Sequence, residues 1–151
     1  MKLKVPPLAL TCVFIALMSL FSWLFPQFSI NIPINHIIAA VFATAGSFIS
    51  ALGVKSFRNE KTTVNPTKPD QATSLVIKGI YKFSRNPMYL GFLLLLIAWG
   101  IFLAHLLSLL LLPTLFVIYM NKLQIPAEEK ALQIKFGEDF ISYKNSVRRW
   151  I

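Results

Sequence analysis

Two long stretches of this chain carry no charged side chain: Val5 to Val54, and Asn86 to Asn121. A water-soluble core of this size could not leave two such blocks without charged faces, so the pattern predicts an all-α integral membrane protein. Val5 to Phe25 and Ile34 to Val54 each suffice to span, at about 31 Å for 21 residues. Pro26 and Pro33 bracket the short uncharged turn between them. The block from Pro87 to Met120 would measure about 50 Å as one helix, too long for a single crossing. It is expected to fold as a hairpin turning near Ala104, His105 and Leu106, with each arm rather short for a full span. About four transmembrane helices result.

The polar remainder fills in the other elements. Lys55 to Arg85 forms a middle loop, and Thr62-Thr63-Val64-Asn65-Pro66-Thr67-Lys68-Pro69 favours an extended path within it. Pro126-Ala127-Glu128-Glu129 reads as a helix start, with Pro at the first position and acids in the first turn. Phe136, Phe140, Tyr143 and Val147 then recur at helical spacing as one apolar face, which Gly137 interrupts. Met1-Lys2-Leu3-Lys4 ahead of an apolar run resembles a signal peptide. No small-x-small cleavage site follows, so an uncleaved helix is the expectation. A length of 151 residues suggests a single domain, 1–151, made of a first helical hairpin (1–54) and a catalytic-like region (55–151).

Charge orients this arrangement. All 15 Lys and Arg lie at the N-terminus, between Lys55 and Arg85, or between Lys122 and Arg149, and both hairpin turns lack them. The positive-inside rule puts both termini and the middle loop in the cytoplasm, with the inner or plasma membrane of a bacterium the expected site. The net charge of +9 flanks the apolar blocks, which suits anionic lipid headgroups and argues against nucleic acid. The single Cys12 cannot form an internal disulfide.

Few residues offer chemistry. His36 and His105 lie in apolar blocks without Cys or carboxylate companions, so no metal site is expected. The six glycines are too widely spaced for a phosphate-cradling loop. What remains is a corner at the membrane edge, Arg85-Asn86-Pro87, flanked by Tyr81 and Tyr89, together with Glu128-Glu129 further on. Each part has an ordinary structural reading: Asn86 as a helix cap, Arg85 as a snorkelling cation, the tyrosines as interfacial aromatics, and the acids as first-turn residues.

Taken in order, Gly79-x-Tyr81, Arg85-Asn86-Pro87-x-Tyr89-x-Gly91, Glu128-Glu129-x-x-Leu132 and Phe136-Gly137-x-x-Phe140-x-x-Tyr143 resemble the isoprenylcysteine carboxyl methyltransferase and phospholipid methyltransferase superfamily. The resemblance covers roughly residues 62 to 150. It implies an S-adenosylmethionine-dependent methyltransferase acting on a lipophilic acceptor, with no metal. By position it assigns cofactor binding to Thr73, Ser74, Leu75, Val76, Tyr81, Asn86, Pro87, Met88, Tyr89 and Glu128. Arg85 and Glu129 become candidate catalytic residues, with Arg85 able to pair with the cofactor's carboxylate.

Two departures from the family pattern stand out. Asn86 replaces the usual His, which keeps hydrogen-bonding capacity and loses imidazole acid-base chemistry. Gln124 stands where prenylcysteine methyltransferases carry an Arg that engages the substrate carboxylate. Lys122 and Gln124 are therefore the candidate substrate contacts, and a standard prenylcysteine is not the expected acceptor. Two other readings stay open: an NADPH-dependent membrane reductase of the sterol-reductase type, and a non-catalytic membrane scaffold. The reductases typically place Glu after the Gly of this corner, where this chain has Phe92.

Overall fold

The computed structural model describes residues 5–60, 62 and 73–151 and is all-α. The helices are α1 (Pro7–Leu24), α2 (Asn35–Asn59), α3 (Pro87–Phe102), α4 (Leu106–Tyr119) and α5 (Ile125–Ser146). Among the described residues, Pro7–Leu24, Asn35–Asn59 and the continuous Leu106–Ser146 are long and apolar enough to cross a membrane. α3 is apolar but shorter, 16 residues or about 24 Å. Three crossings are thus supported by length, and α3 is the shorter apolar arm of the expected four.

α2 packs most extensively on α3, and α1 lies against α3 and α4. The α2–α3 contact is close because both helices present glycine there. A Cβ at Gly46 would lie 2.7 Å from the Gly91 carbonyl oxygen. Such small-residue seams suit lipid, where close backbone approach replaces the hydrophobic drive between helices. Met18, Leu96, Leu112, Phe116, Met120 and Ile125 form the buried core beneath the site.

The two uncharged turns meet at one end of the bundle. The Ile30 N–H donates to the Ala104 carbonyl at 2.8 Å, and Ser29 bridges to His105. His105 is fully buried. Its Nε2–H donates to the Phe25 carbonyl at 3.0 Å, and its Nδ1 accepts from the Ser108 N–H at the start of α4. Its role is structural.

Two expectations are corrected, and a third falls on residues that are not described. α2 runs to Asn59, so Lys55 and Arg58 belong to a helix rather than to the middle loop. The extended path foreseen for residues 62 to 69 lies, apart from Thr62, outside the described residues. Pro126 does not open a separate helix. α4 passes into α5 through a π-helical turn, Met120–Gln124, in which the Ile125 N–H reaches back to the Met120 carbonyl. Pro126 has no N–H to offer the Lys122 carbonyl, and widening the ladder absorbs that loss without ending the helix.

Candidate active site

The site gathers at the end of the bundle opposite the two uncharged turns. Gly79 begins a 3-10 turn, Gly79–Lys82, with φ at +64°, a backbone state that a side chain resists. This turn buries Tyr81, whose ring meets Phe57 of α2 edge-on at 5.5 Å. The Tyr143 hydroxyl donates to the Tyr81 carbonyl at 2.8 Å, docking α5 on the turn. Burial pushes the Tyr81 phenol well above its usual range, with Tyr143 and Glu128 adding to the shift, so Tyr81 remains neutral. Further along α5, Gly137 takes φ 52° and ψ −125°. The expected interruption is a real kink, and it separates Phe136 from the buried Phe140 and Tyr143.

Tyr89, in the first turn of α3, is 4% exposed, and Gln124, in the π-turn, is 1% exposed. Both donate to the same oxygen of Glu128: the Tyr89 hydroxyl to Oε1 at 2.5 Å and Gln124 Nε2 to Oε1 at 2.6 Å. No hydrogen bond to Glu128 Oε2 is formed among the described residues. One carboxylate oxygen is thus held by two neutral donors while the other stays available.

Glu129 faces a different set of partners. Its Oε1 accepts from Arg85 Nη2 and its Oε2 from Arg149 Nη2, each at 2.9 Å, while Lys144 Nζ lies 3.8 Å from Oε2. Arg85 does not snorkel. Its side chain is only 10% exposed, and Nη1 donates to the carbonyls of Lys144 and Val147. The expected pairing of Arg85 with the cofactor's carboxylate meets terminal nitrogens that are all engaged within the protein. Asn86 stands at the N-cap position of α3 with Pro87 behind it, yet its side chain does not cap the helix. Instead Asn86 Nδ2 donates to the Arg149 carbonyl at 2.9 Å, and Ser84 Oγ accepts from the Asn86 N–H. The first-turn reading of the acids also fails, because α5 continues from α4 and presents no free N-terminal dipole to them.

The remaining predicted residues lie around this centre. Pro87 is buried, and Met88 packs on Gly53, where a Cβ would approach Met88 Cγ to 2.5 Å. Val76 is buried, while Thr73 and Ser74 tie the segment to the end of α2, the Thr73 N–H to Thr62 Oγ1 at 2.8 Å and Ser74 Oγ to the Glu60 carbonyl at 3.2 Å. Leu75, Lys82, Asp139 and Tyr143 line an open cavity of about 710 Å³ beside α5. Lys122 is exposed. Sequence reasoning missed Asn121, Arg149 and Trp150. Arg149 gave no motif signal, since a cation in a basic tail looks like any other.

The phospholipid methyltransferase family matches residues 34–139. The chain is 28% identical over 134 residues to a protein-S-isoprenylcysteine O-methyltransferase of Saccharomyces cerevisiae, covering 83% of this chain and 54% of the yeast protein. This chain therefore spans about half the length of that relative. It is also 42% identical over 64 residues to an uncharacterized protein of Haemophilus influenzae, covering 42% of this chain and 100% of that protein. No solved structure matches significantly. With an all-α membrane fold, the motif corner assembled in space and the family match running from the start of α2 into α5, this chain belongs to the phospholipid methyltransferase family.

Proposed function

We propose that this chain is a membrane methyltransferase that uses S-adenosylmethionine and acts on a lipophilic acceptor dissolved in the bilayer. The observation that carries this reading is the buried Tyr89–Glu128–Gln124 cluster, with one Glu128 oxygen open, at the edge of a four-helix membrane bundle.

The donor set fits this cofactor, which bears an ammonium, a sulfonium and a carboxylate. Glu128 Oε2 is an acceptor suited to an ammonium or a ribose hydroxyl. The rings of Tyr81 and Tyr89 suit a sulfonium cation. Thr73 to Val76 and Asn86 to Met88 are the walls proposed around it. When bound, S-adenosylmethionine supplies an electrophilic methyl group that passes from sulfur to the nucleophilic atom of the acceptor. The residues of this chain bind, align and exclude water. Positioning of this kind can supply several kcal/mol, about 7–11 in well-oriented model reactions.

Within this reading Tyr89 and Gln124 orient Glu128, and Gln124 serves the cofactor cluster rather than the acceptor. Arg85 and Glu129 hold the corner from behind. Exposed Lys122 is the candidate for an anionic group on the acceptor. The end of the bundle that carries the start of α3 and the end of α5 faces the cytoplasm, as the charge pattern of the sequence implies. Neither the reductase nor the scaffold reading gains support from the family match.

Calorimetry on the purified protein in detergent tests the proposal by comparing S-adenosylmethionine with NADPH. The former should bind, and label from its methyl group should pass into a lipid extract. Binding of NADPH alone would overturn the assignment.

A further inference from the structure

Val147 leaves α5 in an extended conformation (φ −125°, ψ 135°), and the last residues return across the start of α3. Arg149 uses its main chain and its side chain on different elements there. Its carbonyl accepts from Asn86 Nδ2 at 2.9 Å. Its guanidinium spans Glu129, with Nη2 to Oε2 at 2.9 Å and Nε to Oε1 at 3.3 Å. Arg85 grips the same carboxylate from the other side and donates its N–H to the Arg148 carbonyl at 3.0 Å. Trp150 Nε1 donates to Asn121 Oδ1 at 3.0 Å, fastening the segment to the π-turn.

The electrostatics give this arrangement a purpose. Glu128 and Glu129 are adjacent, and two bare carboxylates would repel. Two guanidiniums on Glu129 oppose part of that repulsion, which favours an open oxygen of Glu128 facing a cationic ligand. The Arg149 carbonyl also holds the Asn86 amide, whose side chain makes no cap to α3.

We propose that Arg149 is a positioning residue for the cofactor site, setting Asn86 on one side and Glu128, through Glu129, on the other. This rests on the methyltransferase reading given above. Arg149 acts without touching the cofactor.

The test compares the full chain with Arg149→Ala and Arg149→Lys, using hydrogen exchange of residues 84–91 and 126–132 together with calorimetry of S-adenosylmethionine. In Arg149→Ala, exchange should rise in both segments, and affinity should fall roughly tenfold, the scale of a lost charge-assisted hydrogen bond. Arg149→Lys should recover part of that affinity. A control at the opposite end of the bundle, Trp99→Phe, loses a 3.0 Å bond to Ser19 Oγ and should leave affinity unchanged. Wild-type affinity in Arg149→Ala overturns the positioning role, even if exchange rises. Unchanged exchange overturns the clamp itself. If the wild type does not bind S-adenosylmethionine, the methyltransferase reading fails, and exchange still decides whether Arg149 couples the two segments.

Discussion

The Tyr89 hydroxyl and the Glu128 carboxylate meet at 2.5 Å, joining the first turn of α3 to α5 across 39 residues of sequence. The contact is possible because α4 and α5 form one continuous helix. The π-turn carries Gln124 to the same oxygen, where it becomes the second donor. Replacing Tyr89 with Phe keeps the ring and removes only this hydroxyl.

Tyr89→Phe should therefore weaken S-adenosylmethionine binding about tenfold, and Glu128→Ala by at least as much, as expected for hydrogen bonds to a charged group. Titration calorimetry on folded variants measures both. Equal affinities in wild type and both variants would remove the proposed site.

Gln124 shares Glu128 with Tyr89, so Gln124→Ala should cost less cofactor affinity than Tyr89→Phe, by roughly a factor of several for one of two donors. A farnesylcysteine analogue with a free carboxylate should be a poor acceptor, because a neutral amide already bonded to Glu128 cannot pair with that carboxylate. Efficient methylation of the analogue, undiminished in Gln124→Ala, would contradict this inference.

Both uncharged turns meet at one end of the bundle, and the basic residues at the end of α2, around the Gly79–Lys82 turn and after α5 lie at the other. In a Cys12→Ser background, Asn145→Cys should label from the cytoplasmic face and Asn31→Cys from the opposite face. Labelling of Asn31→Cys from the cytoplasmic side would reverse the orientation.

Gly46→Ala should destabilise the bundle. Its new Cβ would meet the Gly91 carbonyl at 2.7 Å, and backbone cannot move aside as a side chain can. A loss of about 1–3 kcal/mol is the usual scale of overpacking. Exposed Ala45→Leu, one residue away, should change stability by less than about 0.5 kcal/mol. Unfolding in mixed detergent compares them, and equal stabilities would mean that α2 and α3 can part freely.

The membrane architecture was legible in the sequence because lipid does not tolerate scattered charge, so uncharged blocks mark spans directly. The hairpin turn near His105 and the break at Gly137 followed in the same way, from what those residues permit locally. Glu128 and Glu129 were not separable by such reasoning. As neighbours on a helix they point about 100° apart, and which direction meets Tyr89 rather than Arg85 depends on how α5 docks. Gln124 shows the same limit, since its spacing of four from Glu128 permits a bond without requiring one. Arg149 lay beyond any local pattern. Its partners, Asn86 and Glu129, lie 63 and 20 residues away, and only the return of the chain end across α3 brings them together.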